Sequence, residues 1–396
     1  MCYASSVMKR YVHRAVEKEL KAAAKEFPVI VLTGPRQTGK STLLQTLFPN
    51  YDYVTLDDPF TRKTAKDDPR FFLSGHERMI IDELQYLPEL LPYIKIAVDK
   101  DRSTNGRYLL TGSQCFPLMA GVSESLAGRA ALYELLGFSS EEMPGLLLGD
   151  PKSCFAAIFN GFFPEIVVHG VERNRFYSSY LQTYLERDIR QIASVHDLKM
   201  FQNFLELLAA RAGGLLNLNE IAKEGGVSFT SARRWLSLLE STRIVYLLRP
   251  YTKNISRRVI KSPKIYFTDT GLLSFLLRYP DSATLGAGPQ AGALFENLVI
   301  AELLKYKGNH NSNYELYFYR DSNHNEIDVV LDSGPSIKLL EIKLTSTPRP
   351  EHFSTMNKIT KLLNRSRGFL LSFTPNKERV SEKVESLPWA EILSYI

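Results

Sequence analysis

A glycine-rich segment near the start of the chain has the composition and spacing of a phosphate-binding loop. Residues 34–41 read Gly-Pro-Arg-Gln-Thr-Gly-Lys-Ser, which fits the pattern G-x-x-x-x-G-K-[ST]. Glycines let backbone N–H groups turn inward around phosphates, and a helix beginning there adds partial positive charge. Lys40 would neutralise the β- and γ-phosphates of a nucleotide, and Ser41 would hold Mg²⁺. The residues expected to bind the nucleotide are Gly34, Pro35, Arg36, Gln37, Thr38, Gly39, Lys40, Ser41 and Thr42.

Two adjacent carboxylates follow the aliphatic run Met79-Ile80-Ile81. They stand where a buried strand would end, and open α/β sheets bind ligands at that edge. Asp82 would complete the Mg²⁺ shell, and Glu83 would polarise an attacking water.

The elements that must position these residues alternate between strands and helices. Aliphatic runs begin at Val29, Met79 and Tyr108, and helical patterns lie between them. This alternation predicts an α/β fold with a parallel sheet and helices on both faces. The run from Tyr108 ends in Thr111-Gly-Ser113-Gln114, whose polar side chains would stand beside the γ-phosphate.

Residues about 10–190 resemble AAA+-type P-loop ATPases of an archaeal and bacterial group whose loop reads G-P-R-Q-x-G-K-[ST]. The resemblance implies ATP and Mg²⁺ as cofactors, ATP hydrolysis, and Ser113 or Gln114 as sensor. It makes Arg129 and Arg187 candidates for the positive charge that stabilises the transition state, although each could instead form a structural ion pair. If neither acts within its own subunit, a neighbouring copy must supply one, which would require a homo-oligomer.

The resemblance extends to the segment "GFFPE", which is similar to the G-x-P lid element of related nucleotide hydrolases. It implies that a helical lid follows the sheet.

The middle of the chain concentrates basic residues. Nine lysines and arginines but one acid lie between Ser228 and Phe267, a larger excess than the net charge of +6 for the whole chain. This segment begins in a helix-turn-helix pattern, and two β-like stretches flank a basic loop. The arrangement resembles a winged-helix domain and predicts DNA as a partner of residues 228–267. The alternative is that this unit packs on the ATPase as a lid or oligomer contact.

Near the C-terminus, charged residues lie among aliphatic ones, where burying charge is costly. Asp328 is in "IDVVL", and Glu341 and Lys343 share one face of the strand "LLEIKL". Glu296 has aliphatic residues three, four and seven positions further along its predicted helix. A buried Glu–Lys pair kept for structure is one explanation.

The predicted order of helix, three strands, helix and strand, with these residues, resembles the PD-(D/E)xK nuclease fold. The resemblance implies that Asp328 and Glu341 hold Mg²⁺ or Mn²⁺, which would activate a water and bridge a DNA phosphate. Lys343 would orient that water or stabilise the phosphate, and Glu296 would assist.

Length and composition set the frame for these sites. The 396 residues are divided into an ATPase domain with a helical lid (1–195), an α-rich winged-helix domain (196–280) and an α/β restriction-endonuclease-like domain (281–396). Three scattered cysteines favour a reducing cytoplasm, and no apolar run approaches the length of a membrane span.

The leading hypothesis is an ATP-hydrolysing protein that cuts DNA. The alternative is a nucleotide-switched DNA- or protein-binding scaffold with an inert C-terminal domain.

Overall fold

The computed structural model describes residues 11–112, 122, 124–146, 149–183, 198–252, 262–323, 325–363 and 365–396. The predicted sensors Ser113 and Gln114, the candidate Arg187 and the basic loop at 253–261 lie outside the described residues.

The N-terminal part of the chain is built on a parallel five-stranded sheet, in the order β2-β3-β4-β1-β5. The strands are β1 (Val29–Thr33), β2 (Asp52–Thr55), β3 (Met79–Asp82), β4 (Tyr108–Gly112) and β5 (Ala130–Glu134). Strand β1 therefore lies between β4 and β5, with all carboxyl ends at one edge. The predicted α/β class with a parallel sheet is confirmed.

Both faces of strand β1 are buried. Val29 and Val31 pack with one apolar cluster, whereas Ile30 and Leu32 pack with the cluster on the other face. A strand covered by helices on both sides must be apolar throughout, which explains the uninterrupted run "VIVL". The helices around this sheet are α1 (Glu17–Glu26), α2 (Lys40–Leu47), α3 (Pro59–Asp67), α4 (Pro69–Ser74) and α5 (Leu91–Lys100).

A helical region follows the sheet. Its first helices are α6 (Pro151–Asn160), α7 (Pro164–Val167) and α8 (Arg173–Thr183). They are followed by α9 (Leu198–Ala209), α10 (Leu218–Glu224) and α11 (Phe229–Ser241), and then by the antiparallel strands β6 (Val245–Pro250) and β7 (Lys264–Phe267). Helices α10 and α11 form a helix-turn-helix, and Ser228 caps α11 by accepting from the Ser231 N–H at 3.1 Å.

The C-terminal part begins with the helices α12 (Thr270–Leu276), α13 (Ser282–Ala287) and α14 (Ala291–Asn309). The strands β8 (Glu315–Arg320), β9 (Glu326–Asp332) and β10 (Ile337–Ile342) come next, then α15 (Ser354–Leu362) and the strands β11 (Ser366–Ser372), β12 (Glu378–Arg379) and β13 (Val384–Pro388).

These strands form a mixed sheet that also includes the strand pair from the helical region. Its order is β12-β13-β11-β10-β9-β8-β6-β7, and β6 joins through the parallel pair Arg249 and Tyr317. The sheet thus crosses the predicted division at residue 280, and one apolar core extends from Phe138 to Ile392. Because of this continuity, β7 lies on the same framework as the C-terminal carboxylates.

No helix in the described ranges combines the length and apolar character needed to cross a bilayer.

Candidate functional site

The phosphate loop connects β1 to α2 at the carboxyl edge of the parallel sheet. Gly34 has a φ of +137°, and a Cβ atom there would lie 2.1 Å from the carbonyl oxygen of Leu135. Only glycine fits this close approach. The Lys40 ammonium is buried and donates to the carbonyl oxygens of Gly34 at 3.0 Å and Pro35 at 2.7 Å. The lysine is thus held against the loop that a phosphate would enter.

Asp82 at the end of β3 accepts hydrogen bonds from one helix, α2, and from two strands, β2 and β4. Its Oδ1 accepts from the Ser41 hydroxyl at 2.8 Å and also from Thr111. Its Oδ2 accepts from the Tyr53 hydroxyl at 2.7 Å. Burial raises the pKa of Tyr53, so the phenol remains a hydrogen-bond donor at neutral pH. Ser41 and Asp82 stand together as oxygen ligands, the chemistry that Mg²⁺ prefers.

Glu83 adopts a left-handed backbone conformation directly after Asp82, with a φ of 58°. Its N–H donates to the Thr111 hydroxyl at 3.2 Å, which ties this strained residue to β4. Strain of this kind costs on the order of 1–3 kcal/mol and persists where the surroundings enforce it. Glu83 lines the same cavity as the phosphate loop.

That cavity has a volume of about 980 Å³. The phosphate loop from Arg36 to Thr42 forms one wall, and Pro164 and Tyr180 of the helical region lie on another. Its volume is within the range of small-molecule sites. The segment "GFFPE" therefore adjoins the phosphate loop, in the place that a lid would take.

The C-terminal charges form a second cluster. The Lys343 ammonium lies 2.7 Å from Glu341 Oε1 and 3.7 Å from Asp328 Oδ2. Asp328 Oδ2 also accepts from the Ile342 N–H at 2.8 Å. The carboxylates of β9 and β10 therefore lie within reach of one ammonium, on one side of the sheet.

A second lysine enters this cluster from β7. The Lys264 ammonium lies 2.6 Å from Glu326, 3.3 Å from Glu296 and 3.9 Å from Asp328. Tyr266, two residues along the same strand, donates to Glu296. The structure therefore brings together the predicted Glu296, Asp328, Glu341 and Lys343, and adds Lys264, Tyr266 and Glu326.

Two carboxyl groups of the cluster, those of Glu341 and Glu296, bind their protons more tightly than usual, chiefly because they are buried. Burial, with the Asp328 carboxylate as the next cause, raises the pKa of Glu341 to about 8 and that of Glu296 to about 7. Burial lowers the pKa of Lys343, but Asp328 and Glu341 raise it further, so its net pKa is above the usual range. The four carboxyl groups share two ammonium groups, and the Arg320 guanidinium also lies 3.3 Å from Glu326.

Asp328 and Glu341 both contact the Lys343 ammonium from one side of the sheet. Among the described side chains, Glu341 Oε2 is buried without a hydrogen-bond partner, which leaves an acceptor open. In the described ranges, no group of three or more His, Cys, Asp or Glu side chains is arranged so that it could hold a metal ion. Mg²⁺ is usually bound through one or two carboxylates and otherwise keeps its waters.

Comparisons with known proteins agree with the N-terminal site. Residues 26–144 match a family model described as an AAA domain. Residues 152–283 and 291–392 match models described as domains of unknown function, DUF8612 and DUF4143. The uncharacterized protein Rv2008c of Mycobacterium tuberculosis is 33% identical over 338 residues, which cover 85% of this chain and 74% of that protein. The chain belongs to the same family as Rv2008c. The uncharacterized protein Mb2031c of Mycobacterium bovis matches equally.

Solved structures similar to this family member have low identity. The Walker-type ATPase PABY2304 of Pyrococcus abyssi has 15% identity and a TM-score of 0.42, covering 67% of this chain and 95% of that chain. The AMPPCP-bound DnaA of Aquifex aeolicus has 15% identity and a TM-score of 0.30, covering 57% of this chain and 85% of that chain. The AAA domain itself rests on the family match, which confirms that part of the predicted resemblance.

Arg129 forms an ion pair, the alternative left open by its sequence, and does not reach the phosphate loop of its own chain. Its carbonyl oxygen accepts from the N–H of Val29, the first residue of β1, whereas the phosphate loop follows the last. Its guanidinium pairs with Asp99 through contacts of 2.8 and 3.0 Å. Arg129 therefore lies at the sheet edge opposite the nucleotide site.

Three residues of the basic segment are neutralised within the fold. Arg243 pairs with Glu134, Arg249 lies 3.3 Å from Glu240, and Lys264 is buried among carboxylates. Lys264 therefore contributes no charge to an exposed surface. Arg233 and Arg234 of α11 are exposed.

Sequence reasoning also missed Tyr53 and Arg14. Arg14 is buried, and its guanidinium donates to the carbonyl oxygen of Thr38 in the phosphate loop at 2.9 Å and to Glu142 at 2.9 Å. Neither residue belongs to the loop motif, so its contact with the site depends on how distant segments pack.

Proposed function

We propose that this protein binds ATP with Mg²⁺ at the phosphate loop and hydrolyses it. The observation that carries the proposal is the 2.8 Å contact between the Ser41 hydroxyl and Asp82, beside Lys40 and Glu83 at one sheet edge. Lys40 would exchange its carbonyl contacts for the β- and γ-phosphates, and Ser41 and Asp82 would hold the cation. Glu83 would polarise the attacking water.

The test is ATP turnover by Lys40→Ala. We expect a loss of at least about 100-fold, because removal of one preorganised charge at a transition state typically costs that much. Lys63→Ala is the matched control, since Lys63 is an exposed lysine of α3, and it should keep full turnover. Undiminished hydrolysis by Lys40→Ala would end the proposal.

A second candidate activity is Mg²⁺- or Mn²⁺-dependent cleavage of DNA by the C-terminal cluster. The observation that favours it is the convergence of Asp328 and Glu341 on Lys343, with Glu341 Oε2 left open among the described groups. Asp328 and Glu341 would hold the cation, which supplies an activated water and a bridge to the phosphate. Lys343 would orient that water. Glu296, which lies on α14, would assist at the metal site.

Cleavage is tested on linear, branched and single-stranded DNA with either metal, with and without ATP. Glu341→Ala should abolish cleavage and keep ATP turnover, whereas Glu351→Ala, an exposed acid, should change neither. A nucleotide-switched scaffold is the rival function. It predicts ATP-dependent binding of DNA or protein with no cleavage of any of these substrates.

A further inference from the structure

Lys264 is a buried lysine of β7 that points into the carboxylate cluster. Its side chain is 4% exposed. The backbone around it is fixed on both sides: Lys264 pairs with Leu248 of β6 and forms a bridge with Leu215. Strand pairing on both sides therefore fixes the backbone of Lys264 beside the cluster.

The ammonium stands where acids from two elements meet. Glu296 reaches it from α14, and Glu326 and Asp328 reach it from β9, at distances between 2.6 and 3.9 Å. Burial alone would lower the pKa of Lys264, but Glu296, Asp328 and Glu326 raise it above its ordinary value. The Lys264 ammonium therefore already forms an ion-pair contact with each of these three carboxylates.

Asp328 lies between two ammonium groups. Its Oδ1 is 3.9 Å from Lys264, and its Oδ2 is 3.7 Å from Lys343. The carboxylate thus has two cation-binding sides, one shared with Glu296 and the other with Glu341. Sites that use two metal ions hold them about 3.5–4 Å apart.

We propose that the Lys264 ammonium occupies the cation position between Glu296 and Asp328, so that the cluster binds at most one divalent ion, on the Glu341 side. This inference rests on the proposed metal role of the cluster. It assigns to the strand pair of the helical region a direct part in the C-terminal site: β7 supplies a built-in cation in place of a second metal.

The experiment counts Mn²⁺ ions by isothermal titration calorimetry at pH 8. All proteins carry Asp82→Asn, so that the nucleotide site does not contribute. In this background Lys264→Ala should bind one Mn²⁺ more than the parent, and Glu296→Gln should remove the gain. Lys264→Arg retains the positive charge and is the matched control, with no gain expected.

The two proposals fail separately. If the parent binds no Mn²⁺ but Lys264→Ala binds one, the role of Lys264 as a built-in cation is supported. The same result contradicts metal-dependent cleavage by the natural protein. If Lys264→Ala is folded and binds as many ions as the parent, the inference is overturned, whatever the parent binds.

Folding of the variant is checked by thermal melting with and without Mn²⁺. A ligand that binds only the folded state raises Tm, so Lys264→Ala should gain more in Tm from Mn²⁺ than the parent does. If the alanine variant does not fold in either condition, Lys264→Met, which keeps the length and loses the charge, takes its place. Equal Mn²⁺ shifts for Lys264→Met and the parent would contradict the inference.

Discussion

The Ser41 hydroxyl lies 2.8 Å from Asp82 Oδ1, although 41 positions separate the two residues along the chain. Ser41 follows the loop at the end of β1, and Asp82 is the last residue of β3, so both lie at the same edge of the sheet. Because parallel strands end together at that edge, the loop and the acid meet without any local signal linking them. This contact defines where the cation of a bound nucleotide would lie.

Glu83→Gln should separate nucleotide binding from hydrolysis. Gln keeps the shape of Glu83 but cannot accept a proton, so turnover should fall by about 100- to 10,000-fold, the usual contribution of a general base. ATP affinity should stay within about threefold, because Lys40 and the loop bind the phosphates. Single-turnover hydrolysis and fluorescent-nucleotide titration give the two numbers. Glu89→Gln, at an exposed acid nearby, should leave both unchanged, and loss of affinity in Glu83→Gln would contradict this role.

Gly34→Ala should disrupt the phosphate loop through a backbone collision. The new methyl group would lie 2.1 Å from the Leu135 carbonyl oxygen, and Leu135 is fixed by its own hydrogen bond to Thr33. We expect a destabilisation of roughly 1–3 kcal/mol, typical of overpacking, together with loss of ATP binding. Denaturant unfolding and nucleotide titration measure the two effects. Gly145→Ala adds the same methyl into open space and should be neutral.

Glu341→Gln should change how stability depends on pH. Burial raises the pKa of Glu341 from 4.5 to about 8, so the folded state binds this proton more tightly than the unfolded state. Its contribution to stability is complete below pH 4.5 and is lost as pH rises through 8. The variant lacks this loss, so its Tm should exceed that of the natural protein by about 2 °C or more at pH 9 and match it near pH 4. Melting curves across this range test the prediction, with the exposed Glu382→Gln as control; an equal Tm at pH 9 would refute it.

Reversing the charge of Arg233 and Arg234 should weaken binding of duplex DNA if α11 faces the phosphate backbone. Each lost phosphate contact lowers the slope of log affinity against log salt by about one, so the double variant should lose about two. Fluorescence anisotropy at several salt concentrations gives this slope. Lys358→Glu with Lys361→Glu makes the same charge change on α15 and should retain the slope. An unchanged slope for the α11 variant would exclude this helix from the contact.

Several features could be predicted from the sequence because their signals are local. The loop from Gly34 to Ser41 needs particular residues at fixed spacing, and strands β1 and β3 are short aliphatic runs that must be buried on both faces. The cap of α11 is also a local feature, because the Ser228 hydroxyl accepts from the N–H of Ser231, three positions further along the chain. Local geometry decides each of these features.

What the sequence could not provide is the choice of distant partners. Hydrophobic periodicity indicates which face of a strand is buried, but it does not reveal which strand lies alongside. The pairing of β6 with β8 therefore became visible only in the tertiary structure, and this pairing carries β7 to the C-terminal cluster. It turned Lys264 from an apparent surface charge into a buried cation, and strand direction placed Arg129 at the edge away from the phosphate loop. The sequence determines which side chains can carry a charge. The charges that surround each of them depend on distant segments that come together only when the chain folds.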